Sequence, residues 1–353
     1  PDSAACNEAV KLAKKRGFSR LSGFVNGVLR NISRKKETIS YPKKDKDLVT
    51  YLSVTYSIPE WIINFFKKTY DDETVEKIIA SYLEDRKTTL CCLESKGGKD
   101  AVRKELEAEN VTVEDGKLIE NAVKISDYDF LYRLKAFREG KCYVQDESSM
   151  LCAKLAGAEE GQFVMDLCSA PGGKSLYTAD QMKDSGQILS RDLTEYKTDL
   201  IEDNIERMGF TNMVSEVFDA TVLDEEHIEA ADVVIADVPC SGLGIMGKKN
   251  DIKYHISEEG MKDLVKLQRE ILTNAVQYVK HGGTLIYSTC TINPEENEKN
   301  FQWIKDHFDY EAVDITEELP HNLKIDTAKD GYIQLLPGIH PCDGFFIGKL
   351  RRK

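Results

Sequence analysis

The sequence predicts an α/β protein whose main domain is a parallel, doubly wound sheet, preceded by a small α+β module and a helical segment. From residue 143 onward, short apolar runs that suit buried strands alternate with amphipathic helical segments. This alternation is typical of a parallel sheet with helices on both faces. Acidic residues or cysteines follow several of the runs, and ligands bind at the carboxyl ends of strands in such sheets.

Length and composition fit a globular protein of two or three domains. The chain has 353 residues, of which 41% are hydrophobic and 31% are charged, so it can bury a sizeable core. No apolar run approaches the roughly 18 residues that span a bilayer, and the start does not resemble a signal peptide. We therefore expect a cytoplasmic protein without a membrane partner. Because the chain begins at Pro1 and enters helical sequence at once, we also expect further residues before it in the natural protein.

The nine cysteines indicate a reduced protein without a metal site. Their number is odd, and none has the C-x-x-C spacing of zinc sites or redox motifs. Free cysteines are usual in a reducing compartment. This agrees with a cytoplasmic location and gives no reason to expect a metal.

The charge of the chain is unevenly distributed. The net charge is −13, but residues 1–50 carry 12 Lys and Arg against 5 Asp and Glu. A basic end on an acidic body is compatible with contacts to nucleic-acid phosphates. A solvated basic surface without a ligand is an equally good interpretation of the same pattern.

The first 142 residues divide into a helical segment and a mixed module. Residues 1–47 are expected to form the tail of a helical domain, with helices near 4–16 and 21–30 and a basic linker over 33–47. Residues 48–142 are expected to form the α+β module. Its elements are helices near 59–66 and 72–83, a strand at 88–93, a helix at 99–109 and a strand at 111–113. Asp71 or Asp72 suits the cap of the second of these helices.

Residues 143–353 are expected to form the main domain. The predicted strands are 163–167, 188–192, 213–218, 232–236, 284–288 and 344–350. The predicted helices are 148–155, 174–182, 195–208, 257–280 and one that starts at 293–294. Ser257 is expected to cap the long helix, and Gly282-Gly283 is expected to end it before the next strand.

A loop of small residues follows the first strand of this sheet and is a candidate cofactor site. It consists of Cys168, Ser169, Ala170, Pro171, Gly172, Gly173 and Lys174. A P-loop needs glycine where Cys168 stands, and the G-x-G-x-x-G fingerprint of dinucleotide sites is absent. The remaining candidate is a nucleoside ligand without a pyrophosphate, and S-adenosylmethionine fits that description.

Two acids at the next strand ends suit the nucleoside part of such a cofactor. Asp192 ends the second strand, where an acid holds the ribose hydroxyls in dinucleotide folds. Asp219 ends the third strand and suits the adenine amino group. Each acid, taken alone, is more often a solvated residue at a strand end, but the presence of both in the expected register favours the ligand.

Two cysteines and an acid follow two other strands and suggest nucleophilic catalysis. Asp237 and Cys240 lie just after the strand at 232–236, and Cys290 lies just after the strand at 284–288. A cysteine and an acid at strand ends are suitable groups for covalent chemistry on a bound substrate. The alternative is that both cysteines are small buried hydrophobic residues, as free cysteines often are.

Three motifs resemble those of the RNA cytosine-C5 methyltransferases. They are DLCSAPGGK at 166–174, DVPCSGLG at 237–244 and YSTCTINPEENE at 287–298. Segments 56–61, 143–150 and 336–346 are also similar to that family. Segment 23–30 is similar to the last helix of the NusB-like RNA-binding domain in the RsmB (Sun/Fmu) branch, so residues 1–47 would be the end of such a domain and its linker.

The resemblance implies a fold, a cofactor and a mechanism. Residues 143–353 would form a Rossmann-like domain that binds S-adenosylmethionine, with Asp237 also bordering the cofactor. Cys290 would attack C6 of the cytosine, Asp237 would contact its Watson–Crick edge, and Cys240 would remove the C5 proton and so release Cys290. Lys174 would contact either the cofactor carboxylate or the RNA.

The resemblance also implies a substrate. The expected target is cytosine 967 of 16S rRNA, methylated by a monomer. The alternatives are another rRNA or tRNA cytosine, or an RNA-binding assembly factor without catalytic activity. A DNA cytosine methyltransferase is disfavoured, because it places its nucleophile in the Pro-Cys motif and lacks the additional Ser-Thr-Cys motif at 288–290.

Overall fold

A computed structural model describes residues 1–84 and 87–353. The chain forms two compact units, Pro1–Ile63 and Asn64–Lys353. The boundary between them falls within the predicted module 48–142. In the described ranges, no helix is long and apolar enough to cross a membrane.

The first unit is helical. Its helices are α1 (Asp2–Lys15), α2 (Ser22–Lys35) and α3 (Leu48–Tyr56), and α4 (Glu60–Phe66) begins in it. Helices α1 and α2 pack against each other. The Asp47 carboxylate caps α3 by accepting a hydrogen bond from the Thr50 amide at 3.1 Å. Helix α2 extends into the predicted linker, and Arg34 and Lys35 in its last turn are favourable there because cations stabilise the carboxyl end of a helix.

The second unit begins with a four-stranded antiparallel sheet. Its strands are β1 (Thr88–Cys92), β2 (Thr112–Asp115), β3 (Ala122–Ser126) and β4 (Cys142–Val144), in the order β2-β3-β1-β4. The accompanying helices are α5 (Asp72–Ser81), α6 (Gly98–Ala108) and α7 (Lys135–Arg138). Asp71 caps α5 through the Thr74 amide. The apolar side of α6 packs against β1 and β3 through Val102 and Leu106.

The large sheet follows and carries the candidate site. Its strands are β5 (Phe163–Asp166), β6 (Gln187–Asp192), β7 (Met213–Val217), β8 (Ala231–Asp237), β9 (Val279–Thr289), β10 (Tyr310–Ala312), β11 (Tyr332–Leu335) and β12 (Phe345–Arg352). The order is β10-β12-β9-β8-β5-β6-β7, with β11 on β12. Strands β5 to β9 are parallel, as predicted, whereas β10, β11 and β12 pair antiparallel.

Helices cover both faces of this sheet. They are α8 (Glu147–Ala156), α9 (Gly173–Gln181), α10 (Glu195–Met208), α11 (Ile252–His255), α12 (Glu258–Tyr278) and α13 (Glu298–His307). Neighbouring residues of a strand enter opposite cores. Val233 packs in the core that contains residues of α8 and α9, and Val234 packs in the core that contains residues of α12 and α13. The apolar runs read in the sequence are therefore strands buried on both faces.

In the main domain, the start of one strand and the start of one helix differ clearly from the predicted ones. Helix α12 ends at Tyr278 and β9 begins directly at Val279, so Gly282-Gly283 lies within the strand, where Gly282 adopts a φ of +78°. Helix α13 begins at Glu298, later than the predicted start at 293–294. The helix begins later because the side chains of Glu296 and Asn297 are buried and form hydrogen bonds to the loops after β8 and β9. The backbone of these two residues therefore forms a turn.

Candidate active site

The two cysteine loops meet at the carboxyl edge of the sheet. Strands β8 and β9 are adjacent and parallel, with Asp237 paired in register to Ser288. The loops that leave these strands therefore start side by side. The Cys240 and Cys290 sulfurs lie 3.2 Å apart, and both residues are free and partly buried.

Two glycines fix the spacing between these loops and the segment before β12. The Gly244 amide donates to the Cys290 carbonyl at 3.1 Å, and the Gly344 amide donates to the Gly244 carbonyl at 3.0 Å. A Cβ atom on Gly244 would lie 2.1 Å from the Gly344 carbonyl oxygen. Only glycine permits this close approach, so three separate motifs are held in direct contact.

The hydrogen bond between the sulfurs affects the acidity of Cys240. This bond to Cys290, with burial as the next cause, raises the pKa of the Cys240 thiol well above its ordinary value. Cys240 therefore keeps its proton near neutral pH, and the two sulfurs share a hydrogen bond in which either can be the donor. The arrangement places two cysteine sulfurs in direct contact, and cysteine is a residue suited to nucleophilic chemistry.

Asp237 is held by a lysine and a serine. Lys174 donates to one carboxylate oxygen at 2.5 Å, and the Ser288 hydroxyl donates to the other at 2.8 Å. Burial favours the neutral form of the Lys174 amine, but the Asp237 carboxylate outweighs it and raises the pKa of Lys174. The two side chains therefore form a charged pair close to the cysteines.

A cavity of about 290 Å³ lies beside these groups. The predicted residues that line it are Cys168, Ser169, Ala170, Pro171, Gly173, Lys174, Asp237 and Cys290. The lining does not include Gly172, Asp192, Asp219 or Cys240. The loop after β5 therefore lies beside Asp237 and one of the two cysteines, and the second cysteine contacts the first through its sulfur.

The two acids predicted for the nucleoside have different surroundings. Asp192 is buried, and one of its carboxylate oxygens accepts from the Ala170 amide at 2.9 Å while the other accepts from Lys197 at 2.8 Å. Asp192 thereby holds the loop of small residues at 168–174 in position. Asp219 is exposed and accepts from the backbone amide and hydroxyl of Thr221. The ribose and adenine contacts of these acids remain predictions.

Two unsatisfied oxygens in the cavity wall suit a cationic ligand. Asp166 and Gln145 each present one buried oxygen without a hydrogen-bond partner, and both line the cavity. Burial raises the pKa of Asp166 to about 6. S-adenosylmethionine carries two positive groups, an ammonium and a sulfonium, so the residues present fit this cofactor. Asp166 is not among the site residues predicted from the sequence, although its place at the end of β5, directly before the loop, is a signal that identifies it.

A further charged cluster closes one side of the cavity. Lys248 bridges Asp146 at 2.9 Å and Asp343 at 2.6 Å, and all three residues line the cavity. Burial disfavours the charged form of Asp146, but Lys248 and backbone amides outweigh it and lower the Asp146 pKa to about 2. The three residues lie far apart in sequence, and their spacing along the chain does not predict that they meet. In the described part of the chain, no cluster of His, Cys, Asp and Glu could hold a metal ion.

Cofactor affinity is expected to fall as the pH is lowered through about 6. The Asp166 pKa of about 6 means that this carboxyl group is neutral below that pH and charged above it. A cationic ligand requires the charged form, so binding strengthens as the pH rises. Isothermal titration calorimetry with S-adenosylhomocysteine, which keeps the ammonium group, measures this dependence between about pH 5 and about pH 8.

The matched control for this titration is Asp166→Asn, which keeps the shape of the side chain and removes its charge. The variant is expected to bind more weakly than the wild type and to lose the inflection near pH 6. The same inflection in the variant would contradict the role given to Asp166.

The fold and the loop after β5 define a Rossmann-like methyltransferase. The model of the 16S rRNA methyltransferase RsmB/F family matches residues 153–351, and the model of the NusB family matches residues 1–34. The chain belongs to the 16S rRNA methyltransferase RsmB/F family. It is therefore an enzyme that uses S-adenosyl-L-methionine to methylate RNA, and the predicted family, fold class and cofactor are confirmed.

Individual relatives agree with this assignment. A probable ribosomal RNA small subunit methyltransferase B of Bacillus subtilis is 37% identical over 358 residues, covering 100% of this chain and 79% of the relative. Ribosomal RNA small subunit methyltransferase F of Escherichia coli is 36% identical over 217 residues, covering 60% of this chain and 45% of the relative. The crystal structure of PH0851 superposes with a TM-score of 0.84 at 28% identity, covering 98% of this chain and 76% of the other.

Proposed function

We propose that this enzyme methylates C5 of a cytosine in 16S rRNA, with cytosine 967 as the expected target, through a covalent bond between Cys290 and C6. The observation that carries the proposal is the contact of 3.2 Å between the Cys240 and Cys290 sulfurs at the cofactor cavity. The names of the Bacillus and Escherichia relatives, both small-subunit rRNA methyltransferases, support the substrate. The enzyme would act as a monomer in the cytoplasm.

Cys290 is assigned as the nucleophile because, of the two cysteines whose sulfurs are in contact, it is the one that lines the cavity. C5 of cytosine is a poor nucleophile until a group adds at C6, and a thiolate is strongly nucleophilic near neutral pH. Cys290 lines the cavity and Cys240 does not. The thiol of Cys240, whose pKa is raised, donates a hydrogen bond that stabilises the Cys290 thiolate before attack.

Asp237 is assigned to the base. Lys174 and Ser288 fix the orientation of its carboxylate, which is an acceptor for the exocyclic amino group or for a proton on N3. Stabilising a proton on N3 withdraws electrons from the ring and favours addition at C6. S-adenosyl-L-methionine, when bound, supplies the methyl group that C5 accepts. The target cytosine must leave its stack to reach these groups.

Cys240 is assigned to the release of the product. When the Cys290 sulfur is bonded to carbon, it no longer accepts a hydrogen bond as a thiolate, so the largest cause of the raised Cys240 pKa is removed. The pKa of Cys240 then falls, its thiol gives its proton to solvent water, and the resulting thiolate takes the proton from C5. The electron pair of the C5–H bond forms the C5–C6 double bond, and the C6–S bond breaks to return the Cys290 thiolate.

The target is tested by bisulfite sequencing of 16S rRNA, because 5-methylcytosine resists the conversion that ordinary cytosine undergoes. In cells that lack this protein, cytosine 967 is expected to convert fully, whereas in the parent strain it resists. Re-expression of the wild-type chain is expected to restore resistance, and re-expression of Cys290→Ala is not. Resistance that persists at position 967 in the deletion strain, with loss at another cytosine, would replace the target, and loss at no cytosine would refute the function.

A further inference from the structure

The segment after Cys290 turns three polar side chains into the protein. Asn293, Glu296 and Asn297 each have at most 1% of their surface exposed, although Glu295 between them is exposed. Buried polar groups are costly unless they are hydrogen-bonded. Their partners therefore indicate why the segment leaves the helical path that its sequence favours.

The Glu296 carboxylate is hydrogen-bonded to the residue that follows Cys240. The Ser241 amide donates to one of its oxygens at 2.8 Å, and the Ser241 hydroxyl donates to the other at 2.5 Å. Asn293 and Gln268 each donate a further hydrogen bond at 2.9 Å. All four donors are uncharged, so this buried carboxylate is satisfied by hydrogen bonds whose directions fix the geometry.

Gln268 forms a corresponding hydrogen bond to the residue that precedes Cys240. The side chain of Gln268, on helix α12, is fully buried and donates both to Glu296 and to the Pro239 carbonyl, the latter at 3.0 Å. The backbone is therefore held on both sides of Cys240 by one pair of side chains. This fixes the position from which the Cys240 sulfur extends.

Asn297 performs the corresponding task for Cys290. Its side-chain oxygen accepts from the Thr289 hydroxyl at 2.6 Å, and its nitrogen donates to the Thr291 carbonyl at 3.0 Å. The backbone is thus held on both sides of Cys290 as well. Two neighbouring residues, Glu296 and Asn297, thus each hold the backbone around a different cysteine, and the two loops also meet where the Ser241 and Thr291 hydroxyls share a hydrogen bond at 2.7 Å.

We propose that Glu296 is a positioning residue for product release: with Gln268 it holds the Cys240 sulfur where it takes the C5 proton, while Asn297 holds Cys290 for attack. This inference rests on the proposed function, since it uses the roles given there to the two cysteines. A substitution of Glu296 is therefore expected to slow release of the RNA product more than it slows attack by Cys290 or methyl transfer.

The test compares Glu296→Gln with wild type in two assays on unmodified 16S rRNA. The variant replaces one acceptor oxygen by a donor, so one of the four hydrogen bonds is lost and the Cys240 loop shifts. Methyl transfer from labelled S-adenosylmethionine in a single turnover is expected to stay within about threefold of wild type. Multiple turnover is expected to fall roughly 10- to 100-fold, as for a small misplacement of a catalytic group, and a protein–RNA adduct is expected to persist on denaturing gels.

Glu295→Gln is the matched control, since it makes the same change one residue away on an exposed side chain whose partner is Lys299. It is expected to behave as wild type in both assays. The inference is overturned if Glu296→Gln releases its adduct at the wild-type rate, or if adduct formation and methyl transfer fall together with release. Asn297→Ala is expected to give the opposite pattern, with little adduct and slow methyl transfer.

Two further measurements keep the test decisive. If Glu296→Gln does not fold, Ser241→Ala removes one of its hydrogen bonds and keeps the amide, and a smaller release defect of the same kind is expected; wild-type release would then overturn the inference. Cys240→Ser is assayed in parallel. If it retains no adduct, the proposed function fails; if it retains adduct and Glu296→Gln does not, only the role of Glu296 fails.

Discussion

Replacing Cys290 by alanine is expected to lower methyl transfer into 16S rRNA by at least about 10³-fold, or about 4 kcal/mol of transition-state stabilisation. The thiolate is the group that activates C5 by adding at C6, and Cys240, which contacts Cys290 but does not line the described cavity, is assigned to another step. Incorporation of labelled methyl groups into unmodified 16S rRNA measures the loss. No covalent adduct should form in this variant.

The control for this substitution is Cys6→Ala, which removes a buried thiol of α1, in the other compact unit. It is expected to keep wild-type activity. Cofactor binding by Cys290→Ala should also stay close to wild type, which separates loss of chemistry from loss of folding. Methyl transfer by Cys290→Ala at more than about a tenth of the wild-type rate would contradict the assignment of the nucleophile.

Replacing Cys240 by serine is expected to trap the enzyme on its RNA. A hydroxyl group is a far weaker base than a thiolate near neutral pH, so the C5 proton stays in place and the C6–S bond does not break. One methyl group per enzyme is expected to be transferred, and multiple turnover is expected to fall by about 10²-fold or more, in the range of a lost general base. Denaturing gels with labelled RNA measure the trapped species.

The two substitutions combined give a stricter expectation. Because the adduct requires Cys290, the double variant Cys240→Ser with Cys290→Ala is expected to show none. If the adduct appears instead with Cys290→Ala alone, the two cysteines have exchanged roles. The contact between the sulfurs would then serve the reverse order of attack and release.

Local sequence patterns are sufficient to predict the strands of the parallel half of the sheet. Strands β5, β6 and β8 are apolar runs bounded by turn residues, and their acidic ends were visible as single letters in the sequence. The antiparallel pairing of β12 with β9 was not visible. A strand's direction depends on its partner, and here the partners are separated by more than fifty residues of sequence.

The candidate site could likewise be predicted only in part from the sequence. Cys240, Cys290 and Asp237 were found because they occur in motifs directly after strands. Glu296 was interpreted as part of a helix start, because proline followed by glutamate is a favourable helix beginning. Its burial depends on Ser241 and Gln268, which come from other segments of the chain, and spacing along the chain does not encode such contacts.

The central claim is that Cys290 attacks and Cys240 releases, and mass spectrometry of the trapped Cys240→Ser complex tests it most directly. Trypsin cleaves after Lys280 and Lys299 on either side of Cys290, and after Arg207 and Lys248 on either side of position 240, so the two positions fall in different peptides. After nuclease and trypsin digestion, the peptide 281–299 is expected to carry a methylated cytidine nucleotide through Cys290. A nucleotide on the peptide that contains position 240, or on neither peptide, would contradict this account.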